Sequence, residues 1–339
     1  MRPTLKTVAQ MLNLSATTVS RALKNANDIS PETIERVKEA AERLGYSPNL
    51  RGVNLRTGRT NSLCVVIPMP LPDGLGDLGH INLITGMSSV LRQSSYSLTV
   101  VPQPIEEDDM APIQRIVERQ LADGIIFQRS KPQDVRVSYL VEKKFPFVIF
   151  GRTEMYSPYA YVDVDHETLI HQTVTRLLSR GHRRIALLNP PPALTYSHHR
   201  ITGYRRGLAD ANVPFAPDLV VAGELDGEAG TAATQALLAL PEPPTAFISP
   251  GELVTLGVLA QLRDAGIVVG RDATVISFDG TPMACFQSPK VTAFFSSLTT
   301  IGADLAHFLI RLIEGEDPMT LRRLHQATLI EQGQDALGG

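Results

Sequence analysis

The stretch TLKTVAQMLNLSATTVSRALKN, residues 4–25, decides the fold of the amino-terminal part of the chain. In its first half, apolar residues recur at i, i+1 and i+4, which predicts one apolar face of a short helix: Val8, Ala9 and Leu12. Asn13 tolerates the left-handed conformation of a tight turn. Ser15 can cap a second helix by accepting a backbone N–H. The stretch therefore predicts a helix-turn-helix whose second helix covers residues 16–23.

The second helix carries a polar stripe suited to the edges of DNA bases. Positions i, i+1, i+4 and i+5 of a helix point outward together, and here they are Ala16, Thr17, Ser20 and Arg21. Two amphipathic helices in an ordinary core are the alternative interpretation of this stretch.

A third helix and an uneven charge distribution favour the DNA-binding interpretation. The start of this helix is marked by a serine cap at Ser30, a first-turn proline at Pro31 and an acid favoured by the helix dipole at Glu32. An apolar repeat at helical spacing then continues to Gly45. Residues 1–60 contain 10 Lys and Arg against 5 Asp and Glu, whereas the remainder contains 22 against 30. A basic head on an acidic body suits binding to a phosphate backbone and is not needed by a soluble enzyme.

With these features the chain resembles the lactose-repressor/galactose-repressor family of bacterial regulators. The resemblance spans nearly the whole chain and implies a dimeric DNA-binding repressor or activator controlled by a small-molecule effector. The matching residues are Thr4-Leu5, Val8-Ala9, Ser15, Thr18-Val19-Ser20-Arg21, Leu23, Gly45-Tyr46, Pro48-Asn49, Leu55-Arg56-Thr57-Gly58-Arg59-Thr60, Gly181-His182-Arg183-Arg184-Ile185-Ala186, Gly203-Tyr204 and Phe278-Asp279.

The resemblance implies a role for each polar residue of the headpiece. Ala16 and Thr17 match base-reading positions, and their small side chains suit a thymine methyl group or a single hydroxyl bond. Arg21 matches an arginine that would bind guanine through O6 and N7. Four hydroxyl residues match phosphate contacts, although some could be helix caps alone: Thr4, Ser15, Thr18 and Ser20.

Residues 49–57 match the family's hinge helix, which enters the minor groove of DNA. Asn49 and Leu55 are the predicted contacts, with Leu55 as the wedge between base steps, or else as an ordinary linker leucine. The chain has Gly52-Val53 where Ala-Arg is usual. Because glycine costs about 1 kcal/mol relative to alanine in a helix, we expect this hinge to melt more readily than is typical.

Beyond residue 60, strand-length apolar runs alternate with helical segments, which predicts parallel sheets covered on both faces. The predicted fold class is an all-α helix-turn-helix headpiece followed by an α/β body of two Rossmann-like lobes, as in periplasmic binding proteins. The resemblance supplies the layout, with three crossovers near residues 160–163, 287–291 and 320–325. The predicted domains are a headpiece (1–46), a hinge (47–60) and a core (61–339), whose N-lobe is 61–161 plus 291–322 and whose C-lobe is 162–290 plus 323–339.

Two residues match the family's effector-binding groups. Arg200 precedes Gly203-Tyr204 as the sugar-binding arginine does, and Asp279 ends a strand, where open α/β sheets bind ligands. A loop salt bridge is the alternative role for each. Further predicted effector contacts are Tyr196 as a stacking platform, Glu252 in place of a missing Asn-Asp pair, Ser296, and His80 beside Asn82.

Other apparent motifs do not predict chemistry. Residues 74–79 spell G-x-G-x-x-G, but prolines separate them from the strand, and two aspartates would repel a pyrophosphate. His166 and His171 are too far apart around a helix to bind one metal ion. Cys64 and Cys285 predict neither a disulfide framework nor a zinc site. We therefore expect no cofactor, no metal, no membrane span and no signal peptide, and a cytoplasmic location.

The sequence thus predicts an effector-controlled transcription regulator, a repressor of a carbohydrate-utilisation operon, and not an enzyme. Its partners would be pseudopalindromic double-stranded operator DNA, a sugar-like effector and a second copy of the chain, since residues 331–339 lack the heptads of a tetramerising tail. The alternatives are a sugar-binding sensor that has lost specific DNA binding and a purine- or nucleoside-responsive regulator. The details around residues 73–82 and 151–155 also resemble an α-glucoside-regulator branch.

Overall fold

The chain divides into two units, Met1–Thr60 and Asn61–Gly339. The computed structural model describes residues 3–46, 59–69, 78–105, 107–286 and 288–331, with the backbone alone for Leu78, Ala284 and Cys285. Several predictions lie outside the described residues: the hinge helix with Asn49, Gly52 and Leu55, most of the glycine-rich segment 74–79, and the tail 332–339.

Three helices form the described part of the first unit: α1 (Leu5–Leu12), α2 (Ala16–Ala22) and α3 (Pro31–Leu44). Asn13 ends α1 in the left-handed region at φ 53°, and Gly45 ends α3 at φ 61°. Both residues were predicted as helix ends because asparagine and glycine tolerate this conformation. Each helix contributes buried apolar side chains to one small core: Val8, Ala9, Val19, Ala22, Val37 and Ala40.

The second unit contains two six-stranded sheets. The first has the strand order β11-β5-β4-β3-β1-β2, all parallel. The second has the order β12-β10-β9-β8-β6-β7 and is parallel except for the β10–β12 pair. The strands are β1 (Ser62–Met69), β2 (Ser97–Pro104), β3 (Gly124–Phe127), β4 (Phe147–Phe150), β5 (Ala160–Val164), β6 (Ile185–Asn189), β7 (Val220–Ala222), β8 (Ala246–Ile248), β9 (Thr274–Asp279), β10 (Thr292–Phe295), β11 (Arg322–His325) and β12 (Thr328–Ile330).

Helices cover both faces of each sheet, as predicted for parallel strands. The helices are α4 (Leu78–Leu91), α5 (Met110–Glu118), α6 (Val135–Glu142), α7 (His166–Ser179), α8 (Thr195–Asp210), α9 (Gly227–Leu238), α10 (Glu252–Asp264) and α11 (Leu298–Ile313). Helices α4 and α11 pack on one face of the first sheet, and α5 and α6 on the other. Helices α7 and α8 pack on one face of the second sheet, and α9 and α10 on the other.

Glycine permits the closest of these helix contacts. A Cβ atom at Gly203 in α8 would lie 2.2 Å from the carbonyl oxygen of Glu167 in α7, and one at Gly86 in α4 would lie 1.9 Å from that of Thr299 in α11. Any larger residue would push the paired helices apart.

The lobe boundaries differ from the predicted ones. Strand β5 runs to Val164 within the first sheet, β10 belongs to the second sheet, and β11 belongs to the first. The predicted second segment of the N-lobe began at residue 291 and so included β10, which is wrong because β10 belongs to the sheet of the C-lobe. The two C-lobe segments, predicted to begin at residues 162 and 323, begin instead after β5 and after β11. Strands of three to five residues give too weak a pattern to show which sheet they join.

No helix among the described residues is long and apolar enough to cross a membrane.

Candidate functional site

The predicted recognition helix presents a short polar surface. On α2, Thr17 and Arg21 are exposed and Ser20 is half-buried, whereas Ala16 is partly buried and packs against the headpiece core. All four stripe residues thus reach solvent at least in part, and Ala16 can offer only its methyl group to a base.

The predicted phosphate-binding hydroxyls also cap helices. Ser15 accepts a hydrogen bond from the backbone of Thr18 at 3.0 Å, and the two hydroxyls lie 2.8 Å apart. Thr4 and Thr7 form a reciprocal capping box at the start of α1. In a hydroxyl pair one proton lies between the oxygens, and the second proton remains available to donate. Capping and phosphate binding are therefore compatible at these positions.

Arg21 has an acidic neighbour that the sequence did not reveal. Its Nη2 atom lies 2.5 Å from Oδ2 of Asp28, in the turn between α2 and α3, and both side chains are about half exposed. Any DNA group that binds Arg21 must share it with this carboxylate or displace it.

The predicted effector residues of the second sheet lie along one edge. Parallel strands end at the same edge of a sheet, and ligands of open α/β sheets bind there. Strand β6 ends at Asn189, β8 is followed by Glu252 at the start of α10, β9 ends at Asp279, and β10 is followed by Ser296. Strand order therefore brings together residues that are more than a hundred positions apart in the sequence.

Arg200 lies fully buried at this edge. Its Nε atom donates to Asn189 Oδ1 at 3.1 Å and its Nη2 atom to the carbonyl of Leu188 at 3.5 Å. It forms no ion pair with any described residue. Burial lowers the pKa of its guanidinium to about 10, so the group remains a cation at neutral pH. A buried cation without a carboxylate partner is unusual and suits a ligand with oxygen acceptors.

Asp279 is also buried, at 1% exposure. Its carboxylate accepts a very short hydrogen bond from Ser277, and its carbonyl oxygen accepts one from the backbone N–H of Ser296 at 3.0 Å. Ser296 is therefore next to Asp279.

Tyr196 stacks on a histidine. Its ring centroid lies 5.1 Å from that of His166, the first residue of α7, and His166 contacts Phe278 edge-on at 5.6 Å. His166 is 8% exposed, and its Nδ1 atom is buried without a hydrogen-bond partner among the described residues. Burial and then Arg200 lower the pKa of this imidazole well below 6.5, so it is neutral at physiological pH.

Glu252 positions a loop. Its Oε1 atom accepts hydrogen bonds from the backbone N–H groups of Gly280 at 2.8 Å and Thr281 at 2.6 Å. The Thr281 hydroxyl in turn accepts a bond of 2.9 Å from the Asn82 amide in the first lobe. One oxygen of Glu252 thus fixes the loop that follows Asp279.

Two further contacts join the lobes. The carbonyl oxygen of Ser130 in the first lobe accepts hydrogen bonds from the backbone N–H and the hydroxyl of Thr195. Arg152 pairs with Asp163 at 2.8 Å and lies 3.5 Å from His199 of α8. Burial raises the pKa of Asp163 to about 6, although Arg152 opposes the shift, and burial followed by Arg152 lowers the pKa of His199.

Sequence reasoning missed several of these groups. Asn189 and Arg152 each follow an apolar strand run, and this change from apolar to polar at a strand end was an available signal. His166 was considered only as a metal ligand. It packs on Tyr196, whereas His171 binds Asp210 at 2.7 Å, and the described residues contain no group of three or more possible metal ligands. His80 is half-buried in the first turn of α4.

Comparison with known proteins agrees with this architecture. Residues 4–49 match the model of the bacterial regulatory proteins, lacI family, and residues 174–333 match the periplasmic binding protein-like domain. The HTH-type transcriptional regulator AglR of Rhizobium meliloti (strain 1021) is 32% identical over 332 residues, which cover 96% of this chain and 92% of AglR. The HTH-type transcriptional repressor CytR of Escherichia coli (strain K12) is 28% identical over 335 residues, covering 97% and 95%.

Two solved structures extend the comparison. The transcriptional regulator CelR in complex with cellobiose has a TM-score of 0.73 and 26% identity, covering 98% of this chain and all of that one. The lac repressor dimer bound to operator and the anti-inducer ONPF has a TM-score of 0.84 at 22% identity, covering 99% of this chain and all of that one, and shows the fold alone. With a helix-turn-helix unit, a two-lobed body and a full-length relative above 30% identity, the chain belongs to the lacI family of bacterial transcriptional regulators.

Proposed function

We propose that this regulator binds a two-fold symmetric operator as a homodimer in the cytoplasm, and that a carbohydrate held between its lobes changes its affinity for that DNA. The observation that carries the effector half is the buried guanidinium of Arg200 at the carboxyl edge of the second sheet, which forms no ion pair with any described residue. In a transcriptional regulator, such a group suits the binding of a ligand.

The DNA half rests on the exposed surface of α2. Arg21 would bind guanine, Thr17 and Ser20 would contact neighbouring bases or phosphates, and the capping hydroxyls of Thr4, Ser15 and Thr18 would donate to phosphates. A dimer of this chain would present two such helices to half-sites about one helical turn apart. Asn49 and Leu55 remain the proposed minor-groove contacts.

The carbohydrate proposal is supported by the CelR–cellobiose complex and by the groups at the site. Arg200, Asp279 and Ser296 together offer donors and acceptors for hydroxyl groups, and Tyr196 offers a stacking face. Glu252 would act indirectly, through the loop it fixes, and His80 would approach from the first lobe. For a ligand to switch DNA affinity it must bind one lobe arrangement preferentially.

The contacts between the lobes are candidates for the parts that rearrange. The Asn82–Thr281 and Ser130–Thr195 hydrogen bonds both join one lobe to the other within the described core. A ligand that strengthens or breaks these bonds would shift the balance between open and closed lobes, and that shift would reach the headpiece through the hinge.

Selection from random duplexes followed by footprinting tests the DNA half. The full-length chain should enrich a pseudopalindrome with two protected half-sites. Arg21→Ala should relax base preference at one position of each half-site, whereas the matched control Arg43→Ala, an exposed arginine of α3, should leave the base preference unchanged. A single asymmetric half-site, or no enrichment at all, would contradict the proposal.

Thermal-shift screening tests the effector half. A panel of saccharides and nucleosides is applied to the full-length protein, and a saccharide should raise the melting temperature and alter operator affinity. Stabilisation by nucleosides alone would replace the carbohydrate proposal with the nucleoside-responsive alternative.

A further inference from the structure

His166 is a buried residue with an unsatisfied polar atom. The residue is 8% exposed, and its Nδ1 atom has no hydrogen-bond partner among the described residues. Buried polar atoms are nearly always hydrogen-bonded, and an exception calls for an explanation such as an absent ligand. The packing is nevertheless well defined, because Tyr196 and Phe278 contact two sides of the ring.

The neighbours of His166 place it within the effector site. Tyr196 lies one helical turn before Arg200 on α8, and Phe278 is the residue directly before Asp279 on β9. His166 therefore lies between the two elements that carry the buried cation and the buried carboxylate. Its own element begins directly after Asp165, where the chain crosses between the lobes.

The polar groups at this edge suit hydroxyl groups. The guanidinium of Arg200 is a buried cation, and the carboxyl group of Asp279 is buried as well. The imidazole of His166 is neutral because burial and the nearby Arg200 disfavour its protonated form. A hydroxyl group can both donate to the carboxyl oxygens of Asp279 and accept from Arg200, whereas an ionised phosphate or carboxylate can only accept.

We infer that His166 is a specificity-determining residue of the effector site, and that its Nδ1 atom hydrogen-bonds a hydroxyl group of an uncharged carbohydrate. The inference rests on the proposed function. It goes further by naming a residue for which no role was predicted and by excluding sugar phosphates.

Titration calorimetry on the full-length protein tests this inference, with cellobiose, maltose and sucrose as uncharged probes and glucose 6-phosphate as the charged probe. The wild type should bind at least one uncharged probe. His166→Phe keeps the ring between Tyr196 and Phe278 but removes the nitrogen, and it should lower that affinity at least tenfold. His166→Asn places an amide near the position of Nδ1 and should retain affinity within a few-fold. His198→Phe, at a more exposed histidine of the same region, is the matched control and should bind as the wild type does.

Two readouts separate a binding role from a structural one. In His166→Phe, operator affinity without sugar should be unchanged and the melting temperature should not fall, because the substitution removes an unsatisfied buried nitrogen; the ¹⁵N resonance of Nδ1 should shift when the wild type binds sugar. If the wild type binds an uncharged probe and His166→Phe binds it equally well, the inference is overturned while the proposed function stands. Preference for glucose 6-phosphate would overturn the uncharged class. Failure of every saccharide would overturn the carbohydrate effector itself.

Discussion

The same substitution, arginine to methionine, should affect stability very differently at two buried arginines of the core. Arg136 is 2% exposed and pairs with Asp134 through two hydrogen bonds, of 2.9 and 2.7 Å, while also donating to two backbone carbonyls. Arg200 is fully buried and, among the described residues, bonds only an amide oxygen and a backbone carbonyl. Methionine is an unbranched, adaptable replacement for both.

The expected stabilities follow from these partners. Arg136→Met leaves Asp134 as an uncompensated buried charge and should cost about 3–5 kcal/mol. Arg200→Met leaves neutral acceptors unsatisfied, at about 1–3 kcal/mol. It also removes a cation whose pKa burial lowers to about 10, a relief of about 3 kcal/mol. The two contributions nearly cancel, so Arg200→Met should change stability by no more than about 1–2 kcal/mol.

Effector binding should show the reverse order. A hydrogen bond from a charged donor contributes about 1.5–3 kcal/mol, so Arg200→Met should lower effector affinity by roughly 10- to 150-fold. Urea denaturation of the core and titration calorimetry measure the two quantities on the same samples. If Arg200→Met destabilises the core as much as Arg136→Met does, Arg200 is a structural residue and the reasoning fails.

Three further predictions concern other parts of the chain. Asp28→Asn frees Arg21 from an exposed ion pair worth about 0.2–1 kcal/mol. The affinity for duplex DNA at low salt, measured by fluorescence anisotropy, should therefore rise by up to about 5-fold. Weaker binding would mean that Asp28 orients Arg21 instead. Gly203→Ala places a Cβ atom 2.2 Å from the Glu167 carbonyl and should lower stability to urea by about 1–3 kcal/mol; a wild-type midpoint would contradict the close helix crossing. Burial raises the pKa of Asp163 to about 6, so the contribution of its protonated carboxyl group to stability is complete below about pH 4 and is lost as the pH rises to about 6. Asp163→Asn should remove about 3 kcal/mol of that pH dependence. Identical pH profiles of the unfolding free energy for the variant and the wild type would refute the shift in pKa.

The sequence predicted the elements whose signals are local. Asn13, Ser15 and Gly45 marked helix ends because left-handed turns and caps favour particular residue types, and the structure has them in those roles. The long amphipathic helices of the core likewise follow the predicted periodicity. The start of helix α8 has a weaker signal, because its first turn, which begins at Thr195, carries buried polar residues that resemble a loop.

The parts that could not be predicted depend on contacts between distant residues. The assignment of β10 to the second sheet depends on pairing with β9, which no local pattern encodes. The same is true of the site. Arg200 and Asp279 were predicted from the family resemblance, but the role of His166 becomes visible only when Tyr196 and Phe278 are seen to surround it.

The most direct test of the account is the operator affinity of the full-length protein with and without a saturating stabilising saccharide, measured on a selected operator by quantitative footprinting. The account predicts two symmetric half-sites whose occupancy changes together, with affinity shifting at least tenfold on addition of the sugar in the wild type but not in Arg200→Met. An operator affinity that is the same with and without every ligand that stabilises the core would contradict it.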